Sequence, residues 1–482
     1  MSRTLGSSPW LSTAGILGLA VLLSGSYCSW RGYYVPASLG GGSSSTQTTI
    51  GPVGAFASVF VNGTEFADST ATVTVDGVAS SESALLVGQV AMLGGAAGSS
   101  SAGTANTIAV TTKLVGPVSA IDLAAGTVTV LGQTVQITGD TSVGAGIAPA
   151  DVGGLLVGDV VAIDGYRTSA GLIASRFDLA VAGRAYQVAG PVSNLVGATQ
   201  TFTIDGTTID YSAASAGLPS QLANGNYVVA SGATIENATT LKASLITARA
   251  EVPTGNSGTA GSVHGAVTRF GSASDFDVGG QTVATTATTT YQGGVSTDVG
   301  ADTEIEVTGT YDSKGVLDAT TVAIVPVSNV RVAGPVTAIA TSGQTLTVAG
   351  ITLGTTVETR WDDRSATPLR TFGFANLQVG NWVVVRGAAG SGASASGRVV
   401  ERYDTPAPAL VQLQDVAASV ASPQFTLTGI TVLANGATFT DANGVSLSAA
   451  TFFAEAAGRV VRAAGTLSSS GALVATSVAL RD

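Results

Sequence analysis

The chain has 482 residues, of which 11% are charged, 45% are hydrophobic and 63 are glycine. The charged share lies well below the roughly 25% of an average soluble domain, which excludes a highly charged disordered chain. The formal net charge is −11, and the 20 basic residues form no cluster along the sequence, so no nucleic-acid partner is expected. One cysteine and one histidine exclude both a zinc site of Cys and His ligands and a framework of intrachain disulfides.

The N-terminal segment has the pattern of a secretory signal. Arg3 precedes an apolar run at residues 14–23, and the small residues Ser24, Gly25 and Ser26 follow it. A run of about 10 residues is too short to span a hydrocarbon core of roughly 30 Å, and no later segment offers the roughly 18 consecutive apolar residues that a membrane span needs. We therefore expect residues 1–28 to be a signal peptide and the protein to be exported.

Cys28, the only cysteine, stands where a bacterial lipoprotein signal places the residue that receives lipid. Tyr27 departs from a lipobox, whereas Ser24 and Ser26 fit ordinary cleavage after Ser26. Two outcomes stay open: membrane anchoring through a lipid on Cys28, or release as a periplasmic or secreted protein. Residues 29–48 are rich in Gly and Ser and are predicted to form a flexible tether.

From residue 49 onward the sequence repeats with a period of about 70 residues. Short alternations of β-branched residues, separated by Gly-rich turns and without a helical period, indicate strands. The main motif is apolar-x-apolar-x-Gly-x-x-apolar, and its glycines are Gly63, Gly132, Gly206, Gly280, Gly350 and Gly429. The six copies define six units, which we place at 49–113, 114–183, 184–256, 257–328, 329–407 and 408–482.

Further motifs recur around the first. Most units open with Gly-Pro-Val, and a block Gly-x-x-apolar-x-apolar-x-Gly, such as residues 158–165, follows downstream. Because proline cannot donate to a strand ladder, the opening prolines are expected at strand starts or unpaired edges. These are Pro52, Pro117, Pro191 and Pro335.

Each unit holds about five strands with one apolar face, and closure into a small barrel would bury that face. The order of three strands, a short helix and two strands is that of an OB-type barrel, with the helix expected within residues 144–156 of the second unit. The predicted fold is all-β, a tandem array of about six small OB-like antiparallel β-barrels. Small six-stranded barrels or sandwiches are the alternative.

The motifs resemble a bacterial exported repeat, the domain-of-unknown-function family 5666. The resemblance is carried by residues 128–135 and 155–165, extends in some degree over residues 49–482, and is weakest in the sixth unit, which lacks the Gly-Pro opening. It implies a Gram-negative envelope protein, often a lipid-anchored outer-membrane lipoprotein. The family has no established activity and no catalytic residues to transfer.

The fifth unit carries the least ordinary segment, in which Arg360, Trp361 and Arg364 stand close together. Arginine and aromatic residues are favoured at binding hot spots, and OB-type barrels commonly bind ligands on one face. These three residues are therefore the candidate ligand contacts. The alternative is that Trp361 fills the apolar position held by Val143 and Tyr291 in sister units, which predicts burial.

The sequence predicts no catalytic, metal-ligating or cofactor-binding residue, and no enzymatic activity. His264, the only histidine, occupies a strand-start position, and the Asp-bearing turns have no calcium-loop spacing. We expect a non-enzymatic cell-envelope protein that acts as a structural spacer or assembly component. The alternative is a module that binds a glycan, peptide or small molecule, and the protein or glycan partner is unknown.

Overall fold

The computed structural model describes residues 46–97, 102–214, 221–253 and 255–481. All of these residues lie within one compact unit. The predicted signal peptide, Cys28 and the tether up to residue 45 lie outside the described residues, whereas residues 46–48 belong to the first strand. Among the described residues, no helix has both the length and the apolar character needed to cross a membrane.

The first half of the chain forms three barrels. The strands of barrel 1 (46–110) are β1 (Thr46–Phe56), β2 (Val59–Val61), β3 (Thr64–Ala67), β4 (Thr72–Val75), β5 (Val78–Ser80), β6 (Val90–Ala97) and β7 (Ala102–Val110). Those of barrel 2 (114–179) are β8 (Leu114–Asp122), β9 (Thr127–Val130), β10 (Gln133–Val143), β11 (Val160–Thr168) and β12 (Gly171–Leu179). Those of barrel 3 (186–248) are β13 (Tyr186–Pro191), β14 (Ser193–Val196), β15 (Thr201–Ile204), β16 (Thr207–Asp210), β17 (Tyr227–Gly232), β18 (Thr234–Asn237), β19 (Thr240–Lys242) and β20 (Leu245–Ala248).

The second half forms three more. The strands of barrel 4 (260–324) are β21 (Ala260–Ser272), β22 (Asp275–Val278), β23 (Gln281–Ala284), β24 (Thr290–Gln292), β25 (Glu304–Tyr311) and β26 (Leu317–Ile324). Those of barrel 5 (330–403) are β27 (Val330–Ala340), β28 (Thr345–Val348), β29 (Ile351–Gly354), β30 (Arg360–Asp363), β31 (Trp382–Gly387), β32 (Ser394–Ser396) and β33 (Val399–Tyr403). Those of barrel 6 (411–480) are β34 (Val411–Val416), β35 (Ala418–Ala421), β36 (Gln424–Leu427), β37 (Ile430–Leu433), β38 (Thr438–Thr440), β39 (Ser446–Leu447), β40 (Val460–Leu467) and β41 (Leu473–Leu480).

The barrels close in one common strand order, which barrel 2 shows most simply. Its strands pair in the ring β8, β9, β10, β12, β11 and back to β8, and only the pairing of β10 with β12 is parallel. The corresponding parallel pairs are β3 with β7, β16 with β19, β23 with β26, β29 with β32 and β37 with β41. In the other barrels some of the five strands are interrupted, as the first strand of barrel 3 is between β13 and β14, so more strand segments are given for them. The prediction of all-β, OB-like barrels of about five strands is confirmed, and the six-stranded and sandwich alternatives are wrong.

The connection between the third and fourth strands holds less helix than predicted. It contains a 3₁₀ turn in four barrels, at Glu82–Ala84, Val152–Gly154, Ser296–Asp298 and Phe374–Asn376, and the helix α1 (Ala449–Glu455) in barrel 6. A further 3₁₀ turn, Thr341–Gly343, follows the first strand of barrel 5. The prediction of a helix within residues 144–156 is therefore wrong, since this segment contains only a 3₁₀ turn. Pro149 and two adjacent glycines in that segment disfavour helix, and the Asp151 side chain accepts from the Gly153 N–H instead.

The second and third strands are joined by a two-residue turn in which both residues have positive φ. In barrel 2 these are Leu131 at +49° and Gly132 at +82°. Positive φ at both positions defines a type I′ turn, whose twist matches that of the flanking strands. The same pair recurs at 62–63, 205–206, 279–280, 349–350 and 428–429. Turn geometry therefore accounts for the glycine of the main repeat motif.

The last glycine of the downstream motif lies at a β-bulge between the fourth and fifth strands. In barrel 2 the register shifts between Asp164 and Gly165. A Cβ atom on Gly165 would lie 2.0 Å from the carbonyl oxygen of Ile173. The same close approach, between 1.7 and 2.1 Å, occurs at Gly95, Gly232, Gly309, Gly387 and Gly465.

Substituting Gly165→Ala is expected to lower the free energy of unfolding by about 1–3 kcal/mol, because strand β12 must move to admit the methyl group. Urea unfolding followed by circular dichroism would measure the change. Gly197→Ala is the matched control, since nothing lies within 4 Å of a Cβ atom built there. Equal effects of the two substitutions would contradict the packing explanation.

The opening prolines lie within or at the end of their strands, which corrects the prediction of strand starts or unpaired edges. Pro117 pairs with Val160 of the fourth strand, whereas the next residue, Val118, pairs with Val130 of the second strand. Proline therefore stands where the first strand passes from one neighbour to the other. Its missing N–H falls at the end of one ladder and before the start of the next.

Three pairs of barrels are joined by direct strand pairing. β1 runs parallel to β21 over residues 47–50 and joins barrel 1 to barrel 4. β8 pairs with β13 and joins barrels 2 and 3, and β27 pairs with β34 and joins barrels 5 and 6. Two of these joins connect units that are consecutive in the sequence, whereas the join between barrels 1 and 4 connects units that are distant in the sequence.

The apolar cores follow these joins. One cluster extends through barrels 2 and 3 and includes Phe177 and Phe202, and another extends through barrels 5 and 6 and includes Leu346 and Phe425. Barrel 4 has its own cluster, to which barrel 2 contributes Tyr166. The barrels therefore share buried surface, which suits units too small to bury a large core alone.

Candidate functional site

The three predicted contact residues lie on or just after β30, and they point to different surroundings. Trp361 is buried and packs edge-to-face on Phe372 and Phe374, with ring centroids 5.8 and 6.1 Å away. Arg360 and Arg364 are also buried. The side chains do not form one exposed aromatic surface, because residues alternate between the two faces of a strand.

Arg364 takes part in a buried ion-pair cluster of barrel 5 residues. Glu401 has no exposed surface and lies 2.9 Å from a guanidinium nitrogen of each of Arg364 and Arg386. Tyr403 donates its hydroxyl to Glu401 at 3.2 Å. Burial acts to raise the pKa of Glu401, but Arg386 and Arg364 outweigh it and hold the pKa below its ordinary value. One carboxylate thus compensates two buried arginines.

A second cluster joins barrel 5 to barrels 2 and 4. Arg398 contacts Glu304 of barrel 4 at 2.9 Å and Asp140 of barrel 2 at 3.1 Å. His264 contacts the same Glu304 carboxylate at 3.0 Å, and Ser328 donates to Asp140 at 2.8 Å. Burial opposes ionisation of Glu304, but Arg398 and His264 hold its pKa well below the usual range. The only histidine is therefore part of a joint between barrels.

Arginines of barrel 5 also hold the backbone of barrel 2. Arg360 donates to the carbonyl oxygen of Asp140, and Arg386 donates to those of Gly139 and Thr141. Gly139 also permits the close approach of the Ser328 backbone, because a Cβ atom on residue 139 would lie 2.0 Å from the carbonyl oxygen of Ser328. Both arginines thus link barrels more than 200 residues apart in sequence.

A cavity of about 670 Å³, the arginine cavity, lies between barrels 2, 4, 5 and 6. Five guanidinium groups line it, from Arg331, Arg360, Arg386, Arg462 and Arg481. The acidic residues in its lining are Asp140, Asp151, Asp302 and Glu304. The predicted contact residue Arg360 is thus part of this lining, whereas Trp361 and Arg364 are not, and the ligand-contact role stays a prediction.

Asp151 is an acidic residue of the cavity that contacts arginines of the sixth unit. Its carboxylate lies 2.5 Å from Arg462 and 3.7 Å from Arg481. Burial acts to raise the pKa of Asp151, but Arg462 and Arg481 lower it to about 2. Because the pKa is lower in the folded chain than in the unfolded chain, ionised Asp151 stabilises the fold above about pH 4, and this stabilisation is lost as the pH falls towards 2.

Asp151→Asn is expected to lower the free energy of unfolding by about 2 kcal/mol at pH 7. The difference in the free energy of unfolding between the variant and the unaltered protein should shrink as the pH falls from about 4 to 2. At the lower pH the Asp151 carboxyl becomes protonated and is then neutral, as asparagine is. Urea titrations at pH 7 and pH 2.5 would measure both values. A difference that is the same at both pH values would contradict the assignment.

Sequence reasoning missed most of the cavity residues, including Arg331, Arg386, Arg462 and Asp151. Arg386 follows Trp382 and three consecutive valines in a strand that is otherwise apolar up to its terminal glycine. In a chain with only 11% charged residues, an arginine inside such a strand could have indicated a buried polar contact, because arginine is rarely buried unless it is paired. The basic residues form no cluster along the sequence, but folding brings five of them to one cavity.

The Asp-bearing turns have local roles. Asp159 accepts from the Leu156 N–H at 2.8 Å, and Asp363 accepts from the Leu369 N–H at 2.6 Å. Across the ranges that the structure describes, no group of three or more His, Cys, Asp or Glu side chains is placed to hold a metal ion.

Comparison with known proteins addresses the repeat itself. The family described as "Domain of unknown function (DUF5666)" matches residues 115–176, 264–323, 333–394 and 416–479, which lie mainly in barrels 2, 4, 5 and 6. The matches cover just over half of the chain and include the sixth unit, where the resemblance of the motifs is weakest. No curated protein matches the chain. The chain therefore belongs to the family described as Domain of unknown function (DUF5666), with four matched copies of the domain.

Proposed function

We propose that this chain is a non-enzymatic protein of the cell envelope and acts as an assembly component, with its barrels packed into one preformed body. The observation that carries the proposal is the set of joins between barrels distant in sequence. Residues 47–50 pair with residues 260–263, and Arg398 links Glu304 to Asp140. Such a body would present several barrel surfaces to partners at fixed distances, whereas a spacer would require barrels arranged in a line.

The surroundings of the ionisable groups support a non-enzymatic role. His264 is buried against Glu304, and Glu401 is enclosed by two arginines and a tyrosine. A general base must reach the proton that it abstracts from a substrate. Both groups instead contribute to joints within or between barrels.

The envelope location rests on the N-terminal sequence, namely Arg3, the apolar run at 14–23 and the small residues before Cys28. A signal of this kind directs export, and either lipidation of Cys28 or cleavage after Ser26 would then process the exported chain.

Small-angle X-ray scattering on the exported chain tests the packed body. A compact particle of this size has a radius of gyration of about 22 Å, and the proposal predicts a value close to it. A radius about twice as large would indicate a line of separate barrels and would support the spacer instead.

Cell fractionation and intact mass test the location. We expect the protein in the envelope fraction, either with a diacylglyceryl group on Cys28 or with an N-terminus at Tyr27. Cys28→Ala is the control, since it should abolish the lipid adduct if one forms. A cytoplasmic protein that retains residues 1–28 would contradict the envelope proposal.

A ligand-binding module is the second candidate function. The arginine cavity favours it, because its volume of about 670 Å³ falls within the range of small-molecule sites, roughly 300–1,000 Å³.

A further inference from the structure

Four long polar side chains form a row along the arginine cavity. Arg386 on β31 lies opposite Arg331 on β27, Arg331 lies opposite Gln414 on β34, and Gln414 lies opposite Arg462 on β40. Residues directly opposite each other in antiparallel strands project from the same face of the sheet. Neighbouring strands lie about 4.8 Å apart, so the row extends over about 14 Å. All four residues line the cavity.

Arg331 is the member of this row whose charge is not compensated by a direct contact. It is buried, with 7% of its surface exposed, and its Nε and Nη1 atoms have no hydrogen-bond partner. The Nε atom of Arg386, beside it in the row, also lacks a partner. A buried guanidinium without acceptors is costly, so these N–H groups mark a position where an acceptor is missing.

Comparison with the sister units shows that this lack of a partner is specific to Arg331. The third residue before the opening glycine is Lys113, Gln187, Ser262 and Arg331 in the second to fifth units. Each of the first three forms a hydrogen bond with a side chain of another barrel, at 2.9, 3.1 and 2.9 Å respectively. The same position thus forms a contact between barrels in the second, third and fourth units, whereas in the fifth unit it lines the arginine cavity.

The two carboxylates that contact arginines of the row are each shared between two arginines. Asp151 contacts both Arg462 and Arg481, and Glu401 contacts both Arg386 and Arg364. Burial lowers the pKa of Arg331 to about 10, and the charges of Arg462 and Arg386 add to the effect. The row therefore carries more positive charge than its neighbours neutralise.

We propose that the arginine cavity binds a small organic anion, whose carboxylate or phosphate group is held by Arg331 and Arg386. The planar guanidinium fork matches either group with two parallel hydrogen bonds. Apolar residues elsewhere in the lining, including Ile137, Ile173 and Val327, provide a surface for an apolar body on the same ligand. The ligand class is thus an amphiphilic carboxylate or phosphate that fits within about 670 Å³.

Isothermal titration calorimetry on the full exported chain tests the site with octanoate, octyl phosphate and neutral octanol. We expect saturable binding of octanoate, octyl phosphate or both, and none of octanol, because the charged head group is the recognised part. Comparing the two anions decides between a carboxylate and a phosphate ligand. Failure of both anions to bind, or binding of octanol with equal affinity, would overturn the proposal.

Variants assign the binding to the row. Arg331→Met is expected to weaken anion binding by ~10- to 100-fold, the loss typical of a hydrogen bond to a charged group. Arg269→Gln is the matched control, since Arg269 lies outside the cavity and pairs with Asp275 and Asp277. If Arg331→Met does not fold, Arg331→Lys decides, because it keeps the charge but loses the planar fork. Unchanged affinity in the folded Arg331 variant would contradict the assignment, whatever the function of the whole protein.

Discussion

Glu401→Ala is expected to lower the free energy of unfolding of barrel 5 by about 3–5 kcal/mol, because it leaves two buried arginines without their shared carboxylate. Glu401 has no exposed surface and contacts Arg364 and Arg386 at 2.9 Å each. Urea unfolding followed by tryptophan fluorescence would measure the loss. Of the four tryptophans in the chain, Trp361 and Trp382 lie in barrel 5, so the signal reports on this barrel.

The matched control for that experiment is Glu455→Ala. Glu455 pairs with Arg459 near the surface of barrel 6, and about half of its side chain is exposed. An exposed pair of this kind contributes about 0–1 kcal/mol. If Glu401→Ala were as mild as Glu455→Ala, the Glu401 cluster would not be a stabilising joint.

Trp361→Ala is also expected to lower the free energy of unfolding by about 3–5 kcal/mol, because it opens a cavity in the core of barrel 5. The indole is 7% exposed and packs on Phe372 and Phe374. Trp382 remains as the fluorescent reporter, and chemical denaturation gives the change in free energy.

Trp361→Phe serves as the control, since it keeps an aromatic ring in the same space and should cost clearly less than the alanine variant. A Trp361→Ala protein as stable as the unaltered chain would contradict the core position and return Trp361 to the candidate ligand contacts. Ligand-binding tests of this residue therefore need the phenylalanine variant, because the alanine variant changes the fold and the contact together.

The repeat sequence contains enough information to predict the barrel. Two positive φ angles at positions such as Leu131 and Gly132 follow from a two-residue hairpin between alternating strands, and the period near 70 residues gives the length of one unit. The absence of an α-helix within residues 144–156 could not be predicted from strand order alone, because the local glycines and Pro149 disfavour helix there.

The arrangement of the barrels and the arginine cavity could not be predicted in the same way. The joints consist of single residues in different units, such as Asn62 and Ser262, which are 200 residues apart and form a hydrogen bond at 2.9 Å. The position of Ser262 recurs in sister units, but the sequence pattern does not indicate which distant residue it contacts. Arg360 and Trp361 were predicted to act together, but strand alternation places Trp361 in the core and Arg360 at the junction with barrel 2.

The strand joint between barrels 1 and 4 gives the most direct test of the packed body. Thr49 and Ser262 are paired across β1 and β21, and Cα atoms in adjacent strands lie about 4.8 Å apart, within the range for a disulfide. Thr49→Cys with Ser262→Cys, in a Cys28→Ser background, should form an intrachain disulfide in the monomer under oxidising conditions. Thr49→Cys with Thr288→Cys should not, because Thr288 is exposed and lies outside the pairing with β1. Absence of the bond between positions 49 and 262, measured on non-reducing gels and by peptide mass, would contradict the packing of barrels across the sequence.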